Sequence, residues 1–178
     1  MAYVFQYGSN LSTARLNGPT RLQGDAHVFG KAITHDDFEF EFDVWSKAKG
    51  GRAASDIVAG HGRKIWGVIY EIPNHLIHRE TARPRKSLDE IEDEGGNYQR
   101  VFIKLNRPDG CPVVEPVITY VGLARRNGIQ TTWDYVQHIL AGLAEHQMPD
   151  EYANYVKARI IANNPELRET IQNHADGR

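Results

Sequence analysis

One cysteine, Cys111, and two methionines stand in a chain of 178 residues. A lone thiol excludes an internal disulfide framework, so the fold must rest on packing and hydrogen bonding. Neither sign of charge dominates: 21 Lys and Arg face 23 Asp and Glu, a net charge of −2 with His neutral, and the pI is near 6.4. The basic surplus that marks nucleic-acid or anionic-membrane binders is missing. No apolar run approaches the roughly 20 residues that cross a bilayer. The N-terminus, Met-Ala-Tyr-Val-Phe-Gln-Tyr-Gly, lacks both the basic flank and the long apolar segment of a secretory leader. Internal repeats and low-complexity stretches are also lacking. These absences fit a soluble cytoplasmic protein with no sign of a nucleic-acid or membrane partner.

What is present is enough apolar material for a core, 40% of residues with 10% aromatic, and a length suited to one domain. The segment Tyr3–Tyr7 is β-branched and aromatic and stops at Gly8, a strand ending in a turn. Ser9 to Leu16 opens a short helix that Gly18-Pro19 breaks. From Gly24 to Val44 the pattern alternates, most plainly in Phe38-Glu39-Phe40-Glu41-Phe42-Asp43-Val44, as in a half-buried strand. Ala53–Ala59, Lys64–Ile72, Tyr98–Leu105 and Val113–Val121 read as further strands, with a loop at Lys47–Arg52. A helix near Asn74–Arg79 and a solvated basic linker to Lys86 precede a short acidic helix from Ser87. Thr132–Glu145 and Pro149–Ile161 carry helical stripes. The pattern predicts an α+β domain over residues 1–165, a small mixed β-barrel with flanking helices, followed by a polar tail, 166–178.

Two places could carry chemistry. The turn Tyr7-Gly8-Ser9-Asn10-Leu11 aims consecutive backbone N–H groups into one concavity, which can hold a carboxylate or a developing oxyanion. The same residues also make an ordinary strand-to-helix turn capped by Ser9 or Asn10. The second place is Ser87-Leu88-Asp89-Glu90-Ile91-Glu92-Asp93-Glu94-Gly95-Gly96. Ser87 and Glu90 form a capping box, and the paired glycines end the helix. At about 100° per residue, Leu88 and Ile91 define the inward stripe, with Glu92 roughly 70° from its centre and Asp89, Glu90 and Asp93 farther round. Glu92 is therefore the acid most directed to the interior, where general acid/base chemistry near neutral pH finds its groups. A solvated acidic face is the plain alternative. His75 and His78 could share a helix face, but nothing at ligand spacing completes a metal site with them. Cys111 sits in a Gly-Cys-Pro turn without a basic neighbour to activate it. Tyr135, near the start of a C-terminal helix, is either core or a hydroxyl turned into a pocket.

Tyr7-Gly8-Ser9-Asn10-Leu11, Trp66-Gly67-Val68-Ile69-Tyr70, and Leu88-Asp89-x-x-Glu92 before Tyr98-x-Arg100 together resemble the γ-glutamylcyclotransferase family. Gly142-Leu143, Pro149 and Glu151-Tyr152 resemble the C-terminal part of its glutathione-pathway branch. The resemblance implies a small mixed-sheet barrel with a cavity at one end. It also implies cyclisation of a γ-glutamyl group to 5-oxoproline with release of the attached amino acid or amine, without a cofactor. In that reading Tyr7, Gly8, Ser9, Asn10 and Leu11 bind the glutamyl moiety, Glu92 is the general acid/base, and Tyr135 lines the pocket. Many members follow the catalytic Glu directly with Gly; here Asp93 and Glu94 intervene, and Glu94-Gly95-x-x-Tyr98-x-Arg100 makes Glu94 a rival. The helical face and the Leu-Asp-x-x-Glu spacing favour Glu92. Gln6 stands where the family often has a small residue. A γ-glutamylamine or γ-glutamyl-acyl cyclase of secondary metabolism, or a non-catalytic binding module of the same fold, are the alternatives. Relatives also allow a homodimer.

Overall fold

The computed structural model describes residues 1–46, 50–60 and 62–176. Among these residues eight strands form in chain order: β1 (Ala2–Gln6), β2 (His27–Thr34), β3 (Phe38–Ser46), β4 (Arg52–Ala59), β5 (Trp66–Ile72), β6 (Tyr98–Ile103), β7 (Leu105–Asn106) and β8 (Val117–Gly122). Six of them make one sheet in the order β6-β8-β1-β5-β2-β7. Within it β1 runs parallel to β8 and antiparallel to β5, and the sheet curls into a half-barrel. The expected α+β barrel-like sheet is thus present, with β1 in its middle.

The remaining strands, β3 and β4, pair as a separate antiparallel hairpin. The alternation in Phe38–Val44 has its expected effect, with Phe40, Phe42 and Val44 buried. Asp56 ties the hairpin to the sheet. Its fully buried carboxylate accepts the Gly122 N–H and the Arg125 Nε–H, both at 2.7 Å.

The helices are α1 (Thr13–Leu16), α2 (Arg79–Ala82), α3 (Leu88–Glu92), α4 (Trp133–Glu145), α5 (Asp150–Asn163) and α6 (Arg168–Asp176). α5 packs on β3, where the Tyr155 hydroxyl accepts the Phe40 N–H at 3.0 Å. α4 lies directly on the backbone after β1. A Cβ at Gly142 would come within 2.7 Å of the Leu11 carbonyl carbon, so only glycine allows this approach.

Several expectations are corrected. The alternating stretch from Gly24 is two strands, β2 and β3. Ser9–Leu16 is a 3₁₀ turn (Ser9–Leu11) followed by α1, divided where extended Ser12 caps the helix by accepting the Arg15 N–H. Asn74–Arg79 is no single helix: His75 lies in a 3₁₀ turn, Asn74–Leu76, and His78 is the extended residue before α2, so the two histidines share no helical face. The basic linker is not simply solvated, since Arg85 pairs with Asp25 and Arg83 with Glu90. The acidic helix has its capping box but ends at Glu92, short of the glycines, because Asp93 turns into the left-handed region (φ 54°). Aspartate tolerates that conformation better than most residues. The tail is a 3₁₀ turn (Pro165–Leu167) followed by α6; Leu167 of the turn and Ile171 of the helix are buried, and His174 meets the Trp133 ring edge-on at 5.4 Å. Those two apolar side chains give it a face to dock. Of the loop expected at Lys47–Arg52, residues 47–49 lie outside the described residues, and Arg52 opens β4. No helix among the described residues is long and apolar enough to cross a membrane.

Candidate active site

β1 carries the chain from the middle of the sheet to Gly8, and the 3₁₀ turn Ser9–Leu11 begins at its end. The Leu11 N–H closes this turn on the Gly8 carbonyl at 2.9 Å. Across from it, the capping box starts α3 so that Glu92, five residues past the cap, arrives beside the turn. Asn10 Nδ2 donates to Glu92 Oε1 at 2.6 Å, and Gln6 Nε2 reaches the same oxygen at 3.4 Å. The Asn10 amide is itself oriented, because Arg21 Nη1 donates to its Oδ1 at 2.7 Å. Arg21, Asn10 and Glu92 thus form a chain of donors ending on one carboxylate.

A recess of about 20 Å³, room for about one water-sized group, lies between Glu92, the Tyr7–Asn10 turn, Ser55 and three tyrosines, Tyr98, Tyr120 and Tyr135. Ser9, Asn10, Glu92, Tyr98 and Tyr135 also line an outer cavity of about 510 Å³, together with Arg15 and Arg21. That volume suits a small organic ligand.

The tyrosines brace the recess. Tyr135 OH accepts the Ser55 N–H at 3.0 Å and shares a 2.8 Å hydrogen bond with Ser55 Oγ. Tyr98 OH donates to the Ser55 carbonyl at 2.7 Å, and Tyr7 OH to the Tyr120 carbonyl at 2.6 Å. Burial, reinforced by nearby acidic and phenolic groups, pushes the Tyr7 and Tyr98 hydroxyls well above the usual phenol range, which keeps them neutral donors. Gly8 is needed here: a Cβ would fall 2.2 Å from Ser55 Oγ.

Tyr7, Gly8, Ser9, Asn10, Tyr135 and Glu92 therefore line one site. Leu11 does not. Its side chain is wholly buried, and its carbonyl lies 3.0 Å from both Tyr70 OH and His146 Nε2, so it fixes the turn from behind. Glu94 lines neither cavity; its N–H and carbonyl are taken by Asp89 and Arg79. Asp89 departs most from the helical projection. Far from facing outward, it is buried and accepts from Arg100 Nη1 at 2.6 and 2.7 Å and from Tyr120 OH at 2.7 Å. A five-residue helix lying on a sheet buries more than one stripe, and Arg100 and Tyr120 make that burial tolerable.

Ser55, Tyr98, Tyr120, Arg15 and Arg21 were not apparent as site residues. Ser55 is hidden within an alternating strand, and Arg21 follows a Gly-Pro break without periodicity. Tyr98 and Arg100 did carry a signal, their spacing after the acidic helix. Among the described residues no group of three or more His, Cys, Asp or Glu side chains is placed to hold a metal ion.

No protein-family model and no curated protein matches the sequence. Solved structures do match the fold. A structure named gamma-glutamyl cyclotransferase superposes with a TM-score of 0.71 at 22% identity, covering 88% of this chain and 86% of that one. An uncharacterised protein from Homo sapiens gives 0.70 at 22% identity with the same coverage. YkqA from Bacillus subtilis gives 0.69 at 18% identity over 89% of this chain, but only 54% of its own length. The chain has the fold of the γ-glutamylcyclotransferases.

Proposed function

We propose that the protein is a γ-glutamylcyclotransferase that uses Glu92 as its general acid/base. The observation carrying this reading is the Glu92 carboxylate held by Asn10 at 2.6 Å in the recess that the Gly8–Asn10 turn also lines. A γ-glutamyl donor bound here folds so that its α-amine meets its own γ-carbonyl carbon. Positioning of this intramolecular kind can supply roughly 7–11 kcal/mol of the barrier. As the new C–N bond forms, the α-ammonium nitrogen gives up two protons in turn through Glu92 and keeps one as the lactam N–H. The bond to the leaving nitrogen breaks as Glu92 passes those protons to it, giving 5-oxoproline and the leaving group as its ammonium. No water is consumed and no electrons change hands. Backbone N–H groups of the turn serve the donor's α-carboxylate or the transient oxyanion. The cytoplasm, where γ-glutamyl donors would be free substrates, is the setting we assign.

Purified protein given γ-glutamyl-alanine should release 5-oxoproline and alanine in equal amounts. The N-acetylated donor, whose α-nitrogen cannot attack, should yield neither. Equal turnover of both donors would mean hydrolysis, and would overturn the proposal.

A further inference from the structure

The turn that lines the recess is held from behind by side chains that line neither the recess nor the outer cavity. Its last carbonyl, that of Leu11, meets two donors from different elements. Tyr70, on β5, gives its hydroxyl at 3.0 Å, and His146, which caps the C-terminus of α4, brings Nε2 to 3.0 Å. A carbonyl oxygen only accepts, so Nε2 carries a ring hydrogen, and it keeps one whether or not Nδ1 is protonated. Tyr70 directs its own hydrogen at Leu11, so Thr13 Oγ1, 2.8 Å from the phenolic oxygen, is the donor of that pair. Burial raises the Tyr70 pKa above the usual phenol range, against the opposing effect of the Thr13 bond, and the hydroxyl stays a donor. Tyr70 is fully buried, and the His146 side chain is only 8% exposed.

The end of α4 grips the chain on both sides of Ser12. His146 takes the Leu11 carbonyl just before it, and Glu145 Oε2 accepts the Thr13 N–H just after it, at 3.1 Å. One turn back, Gly142 lets the helix backbone lie against the Leu11–Ser12 peptide. At the other end of the same turn, Asn10 holds the Glu92 carboxylate at 2.6 Å. Three residues are too few to absorb a shift at one end, so a displaced Leu11 carries Asn10 with it.

We propose that His146 is a positioning residue for the cyclisation: its Nε2–H, beside the Tyr70 hydroxyl, fixes the Leu11 carbonyl and so keeps the turn's N–H groups and Glu92 in register with the reacting carbon. This rests on the cyclotransferase reading and adds to it a residue that never touches the donor. The oxyanion and the moving proton exist only along the reaction path, so the loss of this support falls on kcat and not on KM.

Steady-state release of 5-oxoproline from γ-glutamyl-alanine is measured at equal folded concentration, well below the melting temperature of the least stable variant. His146→Leu, which keeps the bulk and removes the donor, should lower kcat about 10- to 100-fold, the scale of a misplaced catalytic group. KM should stay within about threefold. His146→Gln, whose amide nitrogen can stand where Nε2 stands, should recover most of kcat even if it melts no higher than His146→Leu. Undiminished kcat in His146→Leu would overturn the proposal, as would a rise in KM alone. A His146→Gln variant as slow as His146→Leu would also overturn it, since ring packing rather than the donor would then matter. If His146→Leu does not fold, Tyr70→Phe removes the other donor to the same carbonyl and should lower kcat with KM unmoved; an unchanged kcat there would count equally against the proposal. Wild-type protein that makes no 5-oxoproline would sink the cyclotransferase reading and this role together, whereas active wild type with undiminished His146→Leu sinks the role alone.

Discussion

Gly8 joins two requirements that no other residue meets together. It ends β1 where the turn must begin, and it leaves the space that Ser55 Oγ occupies. A methyl group at this position meets a side chain already held by Tyr135, so it cannot be accommodated by a simple rotation. Gly8→Ala should cost about 1–3 kcal/mol, the usual range for overpacking a buried site. Adding Ser55→Ala should return part of that loss, because the new Cβ then meets a carbon at an ordinary 3.5 Å. Urea denaturation of the single and double variants measures the coupling. Strictly additive effects would show that the contact does not govern the turn. Asn10 has a different task at the same scale. Its amide accepts from Arg21 and donates to Glu92, so its orientation helps to fix the carboxylate.

Among the elements, α3 is the one whose placement decides the site. Its start is set by the Ser87–Glu90 capping box, and its end by the left-handed Asp93. Its position over the sheet is set by Asp89, anchored to β6 through Arg100 and to β8 through Tyr120. Removing that carboxylate leaves a guanidinium and a buried hydroxyl without their acceptor. Breaking a fully buried pair costs about 3–5 kcal/mol, and Arg100 retains 26% exposure of its side chain, which lowers the figure. Asp89→Ala should therefore destabilise the protein by about 2–4 kcal/mol. It should also reduce turnover, through displacement of Glu92. Chemical denaturation checks the first, and a loss within 0.5 kcal/mol would show that α3 is held by its apolar contacts alone. The capping box was legible in the sequence because it is a local pattern. The anchor was not, because both of its partners lie on strands whose register only the folded sheet fixes.

Across the whole molecule, the half-barrel brings β1, β4, β6 and β8 together with α3 and α4 around one recess, although their residues are widely separated along the chain. Alternation and turn residues made most strands readable, and Leu88, Ile91 and the capping box were enough to direct Glu92 inward. The sheet order was not readable. The parallel pairing of β1 with β8 rests on non-local contacts, as does the separation of the β3–β4 hairpin from the main sheet. The same is true of Ser55 and the two cavity arginines, whose importance lies only in what they face. The polar C-terminus misled for a physical reason: Leu167, just before α6, and Ile171 within it are enough to dock an otherwise polar segment.

The central claim is that the carboxylate in the recess moves the proton, and it is tested by the rate of 5-oxoproline release from γ-glutamyl-alanine. Wild type, Glu92→Gln and Glu94→Gln are compared at equal folded concentration. The rate should fall 10²- to 10⁴-fold in Glu92→Gln, the usual contribution of a positioned acid/base, and stay near wild type in Glu94→Gln. Undiminished turnover by Glu92→Gln, or the loss appearing in Glu94→Gln instead, would contradict the account.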